Sequence, residues 1–348
     1  MAEPQLRPNS ILSPVIDFLC VGGLSLIVIV PLLLIGPDHL TFLNLGWLIW
    51  GQALVNYAHF MASYRIVYRN RAMMRRHQWA AIWVPLIMLG FLALAIATAE
   101  QSPFLLVAFF AVASGYLAWH YTGQAWGMMA SYAYLGGAKF EKTDRLLIRA
   151  SLRILLVWHL LWFARTAMRD PSSVEPVYQL MSAATVVAFA LGVAGLARFR
   201  RRTGQLPPAQ SLVAWVAIFF WYAALARWGV PALFLIQLFH AIQYLEFPAR
   251  VEINRAVRDA AGRVTSHLVI YVALLLVASM LVLTLVPGPA MSIMANLLGA
   301  PSTTVAPVLI LYFINIHHYF TDGVVWKISN PEVRKDLFAH VASPPAKR

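Results

Sequence analysis

Long apolar runs, separated by short polar or glycine- and proline-containing segments, dominate the pattern of this chain. Most runs approach the roughly 20 residues that an α-helix needs to cross about 30 Å of hydrocarbon. Their positions predict ten transmembrane helices, at about 15–36, 42–66, 79–99, 103–134, 146–167, 177–197, 210–228, 230–247, 265–287 and 303–325. A single turn signal, in the segment 227–231, separates the seventh helix from the eighth. The pattern therefore predicts an all-α, polytopic bundle of membrane helices.

Basic residues test this count independently, because cytoplasmic loops of membrane proteins are enriched in Lys and Arg. They collect at the N-terminus, in every second loop and at the C-terminus, and only Arg165, Arg169 and Arg227 of the 27 lie elsewhere. This distribution predicts an even number of helices with both termini in the cytoplasm. For a bacterial protein it predicts the inner membrane.

Composition supports the same class of protein. Hydrophobic residues make up 60% of the 348 residues and charged residues only 12%, and the mean hydropathy is +0.68. The net charge of +13 reports orientation in a membrane and does not predict nucleic-acid binding. One cysteine, Cys20, excludes an intramolecular disulfide. We expect one transmembrane domain, 1–348, with short cytoplasmic tails at about 1–14 and 327–348, and no cleaved signal peptide.

Histidines lie within several of the apolar runs. His59, His120 and His240 fall in predicted helices two, four and eight, and the adjacent residues His317 and His318 fall in helix ten. An ionisable side chain in hydrocarbon is costly and usually marks a functional site. At 1.5 Å of rise per residue, His59, His240 and His318 lie about 9–15 Å before the basic ends of their helices, whereas His120 lies deeper. The pattern predicts that these helices bring their imidazoles together.

Each of these histidines has polar neighbours at helical spacing. The pairs are Asn56 and Ser63 with His59, Gln124 with His120, Gln243 and Tyr244 with His240, and Asp322 with His318. A metal-bound imidazole usually donates its second N–H to such a group. The sequence therefore predicts a metal site in which His59, His120, His240 and either His317 or His318 are ligands.

The remaining polar residues take supporting roles in this prediction. Gln124, Gln243 and Asp322 would orient the imidazoles, and Tyr244 or Glu246 would handle protons. Successive helical residues point about 100° apart, so His317 and His318 cannot both face one centre. Asp322, four residues after His318, favours His318 as the ligand.

The donor types narrow the choice of metal. Imidazoles with few carboxylates and no cysteine set suit iron, copper or catalytic zinc. The HxxxH and HxxHH boxes typical of di-iron membrane desaturases are missing from the sequence. We therefore expect a single iron, oxygen-dependent chemistry and a hydrophobic substrate reached from the membrane lipids.

A polytopic bundle with single histidines on separate helices resembles the Brp/Blh family of bacterial membrane β-carotene dioxygenases. In that family four histidines hold one iron, which implies oxidative cleavage of an isoprenoid. The segments HYTGQAWGM, FHAIQYLEFP and HHYFTDGVVWK, at residues 120, 239 and 317, also resemble motifs of uncharacterised bacterial membrane proteins.

Other functions remain open at the level of sequence. Histidine pairs on facing helices also bind heme for electron transfer. Histidines with Glu246 and Asp322 are typical of a proton- or ion-coupled transporter. A non-catalytic subunit of a membrane complex, with partner subunits unknown, would also be rich in aromatic residues. A single membrane histidine, such as His159, is most simply a hydrogen-bonding residue between helices.

Overall fold

The computed structural model describes residues 10–35, 50–69, 71–98, 101–102, 104–259, 263–285, 305–326 and 335–341. Within this part of the chain the regular structure is helical, without strands, as the hydrophobic pattern predicts. We number the helices α1 Pro14–Ile35, α2 Tyr57–Tyr68, α3 Arg71–Arg76, α4 Trp79–Ala97, α5 Phe104–Leu135, α6 Lys142–Ala167, α7 Glu175–Thr203, α8 Ala209–Trp228, α9 Val230–Asp259, α10 Val264–Leu285 and α11 Val305–Val325.

Eight of these helices are long and apolar enough to cross a membrane, namely α1 and α4 to α10. Large apolar side chains project outward from several of them, and Phe104, Val186 and Leu34 are 71, 73 and 83% exposed. Such exposure is unfavourable in water and normal for surfaces that face lipid. The prediction of an integral membrane protein is therefore supported. The predicted helices at 42–66 and 303–325 begin in residues outside the described ranges.

The weakest predicted boundary, between the seventh and eighth runs, is confirmed. Helix α8 ends at Trp228 and α9 begins at Val230. Gly229 between them has a φ of +68°, a conformation that residues with a Cβ atom rarely adopt. In contrast, α9 continues twelve residues beyond the predicted end at 247, with Pro248 inside it.

Contacts divide the chain into two compact units. The first consists of Met1–Leu48, Ala118–Glu246 and His340–Arg348, and the second of Ile49–Leu117 and Phe247–Ala339. Helices α5 and α9 each contribute residues to both units.

In the first unit, α6 and α7 pack along much of their length, and buried indoles link its helices. Trp158 Nε1 donates to Ser182 Oγ at 2.9 Å, Trp215 Nε1 to Ser151 Oγ at 3.0 Å and Trp221 Nε1 to Ser25 Oγ at 2.8 Å. A buried indole N–H without an acceptor is costly. These three serines therefore help to specify which helices meet.

In the second unit, α2 packs against α10 and α11. Tyr64 on α2 donates a hydrogen bond to the carbonyl of Ile314 on α11, at 3.0 Å. Leu92, Phe109, Ala113 and Ile316 form a buried apolar cluster between α4, α5 and α11. These contacts fix how the residues of α2 and α11 face each other.

Candidate functional site

A pair of histidines lies at the centre of the polar residues of the first unit. His120 on α5 and His240 on α9 approach with their Nε2 atoms 3.0 Å apart. Their rings are nearly perpendicular, at 72°, with centroids 4.7 Å apart. His240 is buried and Tyr121 packs against its ring, with centroids also 4.7 Å apart. Two nitrogens this close either share one proton or present two lone pairs to a common cation.

Gln124 and Gln243 connect the helices around this pair. The Gln124 side-chain amide donates to the backbone carbonyl of His240 at 3.0 Å and to Gln243 Oε1 at 2.9 Å. Gln243 in turn donates to the carbonyl of Val21 on α1. The two glutamines thus contact backbone carbonyls and each other, and they hold α1, α5 and α9 together. The predicted role of orienting imidazole rings stays a prediction.

The predicted proton-handling residues lie one to two turns further along α9. Tyr244 and Glu246 are both almost completely buried. Glu246 Oε1 accepts a hydrogen bond from the Tyr132 hydroxyl at 2.8 Å. Tyr132 was not singled out in the sequence, although it lies eight residues after Gln124 and therefore near the same face of α5.

A second group of polar side chains lies in the second unit, between α2 and α11. The rings of His59 and His318 are in contact at 89°, with centroids 4.4 Å apart, and neither side chain is exposed. Asp322 Oδ2 lies 3.2 Å from His318 Nε2. Ser63 Oγ donates to the other carboxylate oxygen, Asp322 Oδ1, at 2.6 Å. Two imidazoles and a carboxylate are thus gathered in one buried place.

His317 occupies a different environment from His318. Its Nε2 lies 3.2 Å from the carbonyl oxygen of Ala80 and 3.1 Å from the Tyr68 hydroxyl, which itself donates to the carbonyl of Ala81. The Tyr68 hydroxyl uses its one hydrogen in the bond to the Ala81 carbonyl, so its oxygen can only accept from His317. Nε2 of His317 therefore carries the hydrogen of that bond. The ring of Tyr64 stacks on His317 with centroids 5.1 Å apart. His317 and His318 thus contact different neighbours, as expected for successive residues of one helix.

Three other described histidines have structural partners. His159 Nδ1 lies 2.9 Å from the Tyr222 hydroxyl, His267 Nε2 lies 2.9 Å from Glu252, and His340 Nε2 lies 2.8 Å from the carbonyl of Ser10. The contact of His159 agrees with its simple reading as a hydrogen-bonding residue between helices. His39 lies outside the described residues.

The donor sets suit a transition metal better than a hard cation. The second unit offers imidazole nitrogens with one carboxylate, the first unit offers two imidazole nitrogens, and Cys20 is the one thiol of the chain. Neutral imidazoles with few carboxylates bind iron, zinc or copper, whereas Mg²⁺ and Ca²⁺ prefer oxygen ligands. That one metal is held by all four histidines stays a prediction.

Comparison with known proteins adds no assignment. No family model matches the sequence, and neither a curated protein nor a solved structure gives a significant match. The resemblance to the Brp/Blh dioxygenases therefore stays a prediction that depends on residue type and architecture.

Proposed function

We propose that this protein is an integral-membrane, non-heme metal enzyme, most simply an iron-dependent oxidoreductase that uses oxygen on a lipid or isoprenoid substrate. The observation that carries the proposal is the buried group of His59, His318 and Asp322 in the second unit. Two buried imidazoles suit a non-heme iron, and the Asp322 carboxylate beside His318 Nε2 can orient that ring as a supporting group. Such costly side chains are retained inside a membrane protein where function requires them.

Each residue has a defined part in this proposal. His59 and His318 are metal ligands, and Ser63 fixes the orientation of the Asp322 carboxylate through one oxygen. His120 and His240 are the metal-binding residues of the first unit. When bound, iron supplies the oxygen-activating chemistry that these side chains lack.

The spacing of one imidazole pair suits a shared metal ion. The Nε2 atoms of His120 and His240 lie 3.0 Å apart, so both can bind one ion. Heme is the alternative, and a Soret band in the purified protein would identify it. Copper and zinc remain compatible with the same donors, and metal analysis distinguishes them from iron.

A substrate from the bilayer suits the surroundings of these residues. The second-unit group is bordered by the ring of Phe60, whose centroid lies 4.4 Å from that of His59 and 4.5 Å from that of His318. An apolar border of this kind favours a hydrophobic small molecule over a charged one. Membrane lipids are the medium from which such a substrate arrives.

The full topology belongs to the same proposal. Ten helices with both termini in the cytoplasm of a bacterial inner membrane account for the basic loops. Reporter fusions after Arg76, Lys139 and Arg202 are expected to report the cytoplasmic side, and one after Arg169 the opposite side. Two of the first three on opposite sides would contradict the proposed topology.

Metal analysis of protein purified without chelators tests the enzyme proposal. We expect a transition metal in the wild type and its loss from His318→Ala and His240→Ala. His159→Ala is the matched control, because His159 is equally buried but bound to Tyr222. Less than about one-tenth equivalent in the wild type, with no uptake of added iron, copper or zinc, would refute the proposal.

A further inference from the structure

Three side chains of the first unit form a further buried polar group, which contains no histidine. Tyr132 on α5 donates to Glu246 on α9 at 2.8 Å, and Asp17 on α1 lies near both. Asp17 accepts hydrogen bonds from the backbone N–H groups of Ile11, Leu12 and Ser13 at 2.6, 2.8 and 3.1 Å. Asp17 is fully buried and Glu246 almost so.

The charges of this group are unbalanced. Asp17 and Glu246 interact with each other and with Cys20, and among the described residues no lysine or arginine forms an ion pair with either carboxyl. Three backbone N–H donors stabilise a carboxylate at Asp17. A second negative charge beside it, in an apolar interior, is costly. Because the backbone donors favour the negative charge at Asp17, the arrangement favours a protonated carboxyl at Glu246.

Glu246 also has spare hydrogen-bonding capacity. Its Oε1 atom is bonded to Tyr132, while its buried Oε2 atom has no hydrogen-bond partner among the described residues. A buried polar atom without a partner is rare and indicates either a bound water or a group that exchanges protons. A side chain that only fills space at this position could be glutamine or leucine, which bury no ionisable group.

The helices that carry Tyr132 and Glu246 meet through polar side chains at two further levels. Three contacts lie between α5 and α9, joining His120 to His240, Gln124 to Gln243 and Tyr132 to Glu246. Along α9 the three residues are three apart, so these levels cover about 9 Å from His240 to Glu246. Ionisable groups are expensive to bury in a membrane protein and typically mark a functional site.

We propose that Asp17, Tyr132 and Glu246 form an intramembrane proton-binding site. Tyr132 donates to Glu246 Oε1, so the acid proton of Glu246 lies on Oε2. Asp17 is the carboxylate, held by three backbone N–H groups. When the site exchanges a proton, a carboxylate gains it or a carboxylic acid loses it, and no redox change takes place in these residues.

Infrared difference spectroscopy of the full-length protein in liposomes, after a change of pH, tests the proton-binding site without any metal. We expect the carbonyl-stretch band of a protonated, apolar carboxylic acid, and its loss in Glu246→Gln. Tyr132→Phe should keep the band but shift it, because one hydrogen bond to the acid is removed. Tyr222→Phe is the control, since Tyr222 is equally buried and bonds His159, and it should leave the band in place. A wild type without the band, or a band that survives Glu246→Gln, overturns the site.

Discussion

Ser63 Oγ donates a hydrogen bond to Asp322 Oδ1 at 2.6 Å, although the two residues are 259 positions apart in the chain. The bond joins α2 to α11 and fixes one carboxylate oxygen. The other oxygen, Oδ2, lies 3.2 Å from His318 Nε2. The same hydroxyl lies 3.2 Å from the carbonyl of His59. One serine therefore links the Asp322 carboxylate of α11 to the helix that carries His59.

Ser63→Ala should weaken metal binding without abolishing it. The alanine leaves the Asp322 carboxylate free to turn, and loss of such a supporting hydrogen bond usually lowers metal affinity about 10- to 100-fold. Competition with a chelator of known affinity measures the change. Ser131→Ala is the matched control, because among the described residues the Ser131 hydroxyl bonds the carbonyl of Gly127 on its own helix and no other group. Equal losses in both variants would contradict the role of Ser63.

Substitutions at adjacent positions of α11 should have unequal effects. His318→Ala should remove the metal and the activity, and Asp322→Asn should weaken metal binding about 10- to 100-fold. His317→Ala should be milder, because His317 bonds Tyr68 and the carbonyl of Ala80. Metal content and chelator competition measure all three variants. A His317→Ala protein without metal, beside a His318→Ala protein that keeps it, would move the ligand by one residue.

Gly192→Ala should destabilise the first unit. A Cβ atom at position 192 would collide with the indole ring of Trp215, which cannot move without losing its hydrogen bond to Ser151. Overpacking of this kind costs about 1–3 kcal/mol. Thermal unfolding in detergent measures the effect. Gly127→Ala, where a Cβ atom meets no atom within 4 Å, should instead stabilise α5 by about 0.5–1 kcal/mol.

Glu252→Gln should destabilise the second unit. The buried Glu252 carboxylate lies 2.9 Å from Arg255, 2.9 Å from His267, and 3.6 Å from each of Arg65 and Arg69. Its neutralisation takes from Arg65 and Arg69 the carboxylate that they contact and leaves Arg255 with Asp336, which we expect to cost about 2 kcal/mol after allowance for solvent. The free energy of unfolding of the two proteins, measured at low and at high salt, gives the size of this loss.

Glu175→Gln makes the corresponding change in an exposed ion pair. Glu175 lies 2.6 Å from Arg165, and both side chains are at least one-third exposed. Exposed pairs contribute at most about 1 kcal/mol. Equal destabilisation by the two glutamine variants would show that burial of Glu252 is unimportant.

The sequence by itself determined the helices and the residues that each helix carries. Apolar run length predicts α4 to α8 closely, because a membrane-spanning helix satisfies its own backbone hydrogen bonds and needs only local sequence. The proximity of His318 and Asp322 was predictable for the same reason, since residues four apart lie on one helical face. A separate environment for His317 followed from the 100° rotation per residue.

Only the tertiary structure decided which helices meet and which polar groups share a place. The contacts of His120 with His240, Tyr132 with Glu246 and Ser63 with Asp322 join residues more than 100 positions apart. In a membrane, lipid-facing and bundle-facing positions are both apolar, so hydrophobic periodicity does not reveal which faces of two helices pack. Asp17 and Tyr132 were missed for that reason: one carboxyl and one hydroxyl on separate helices gain meaning only when packing places them beside Glu246.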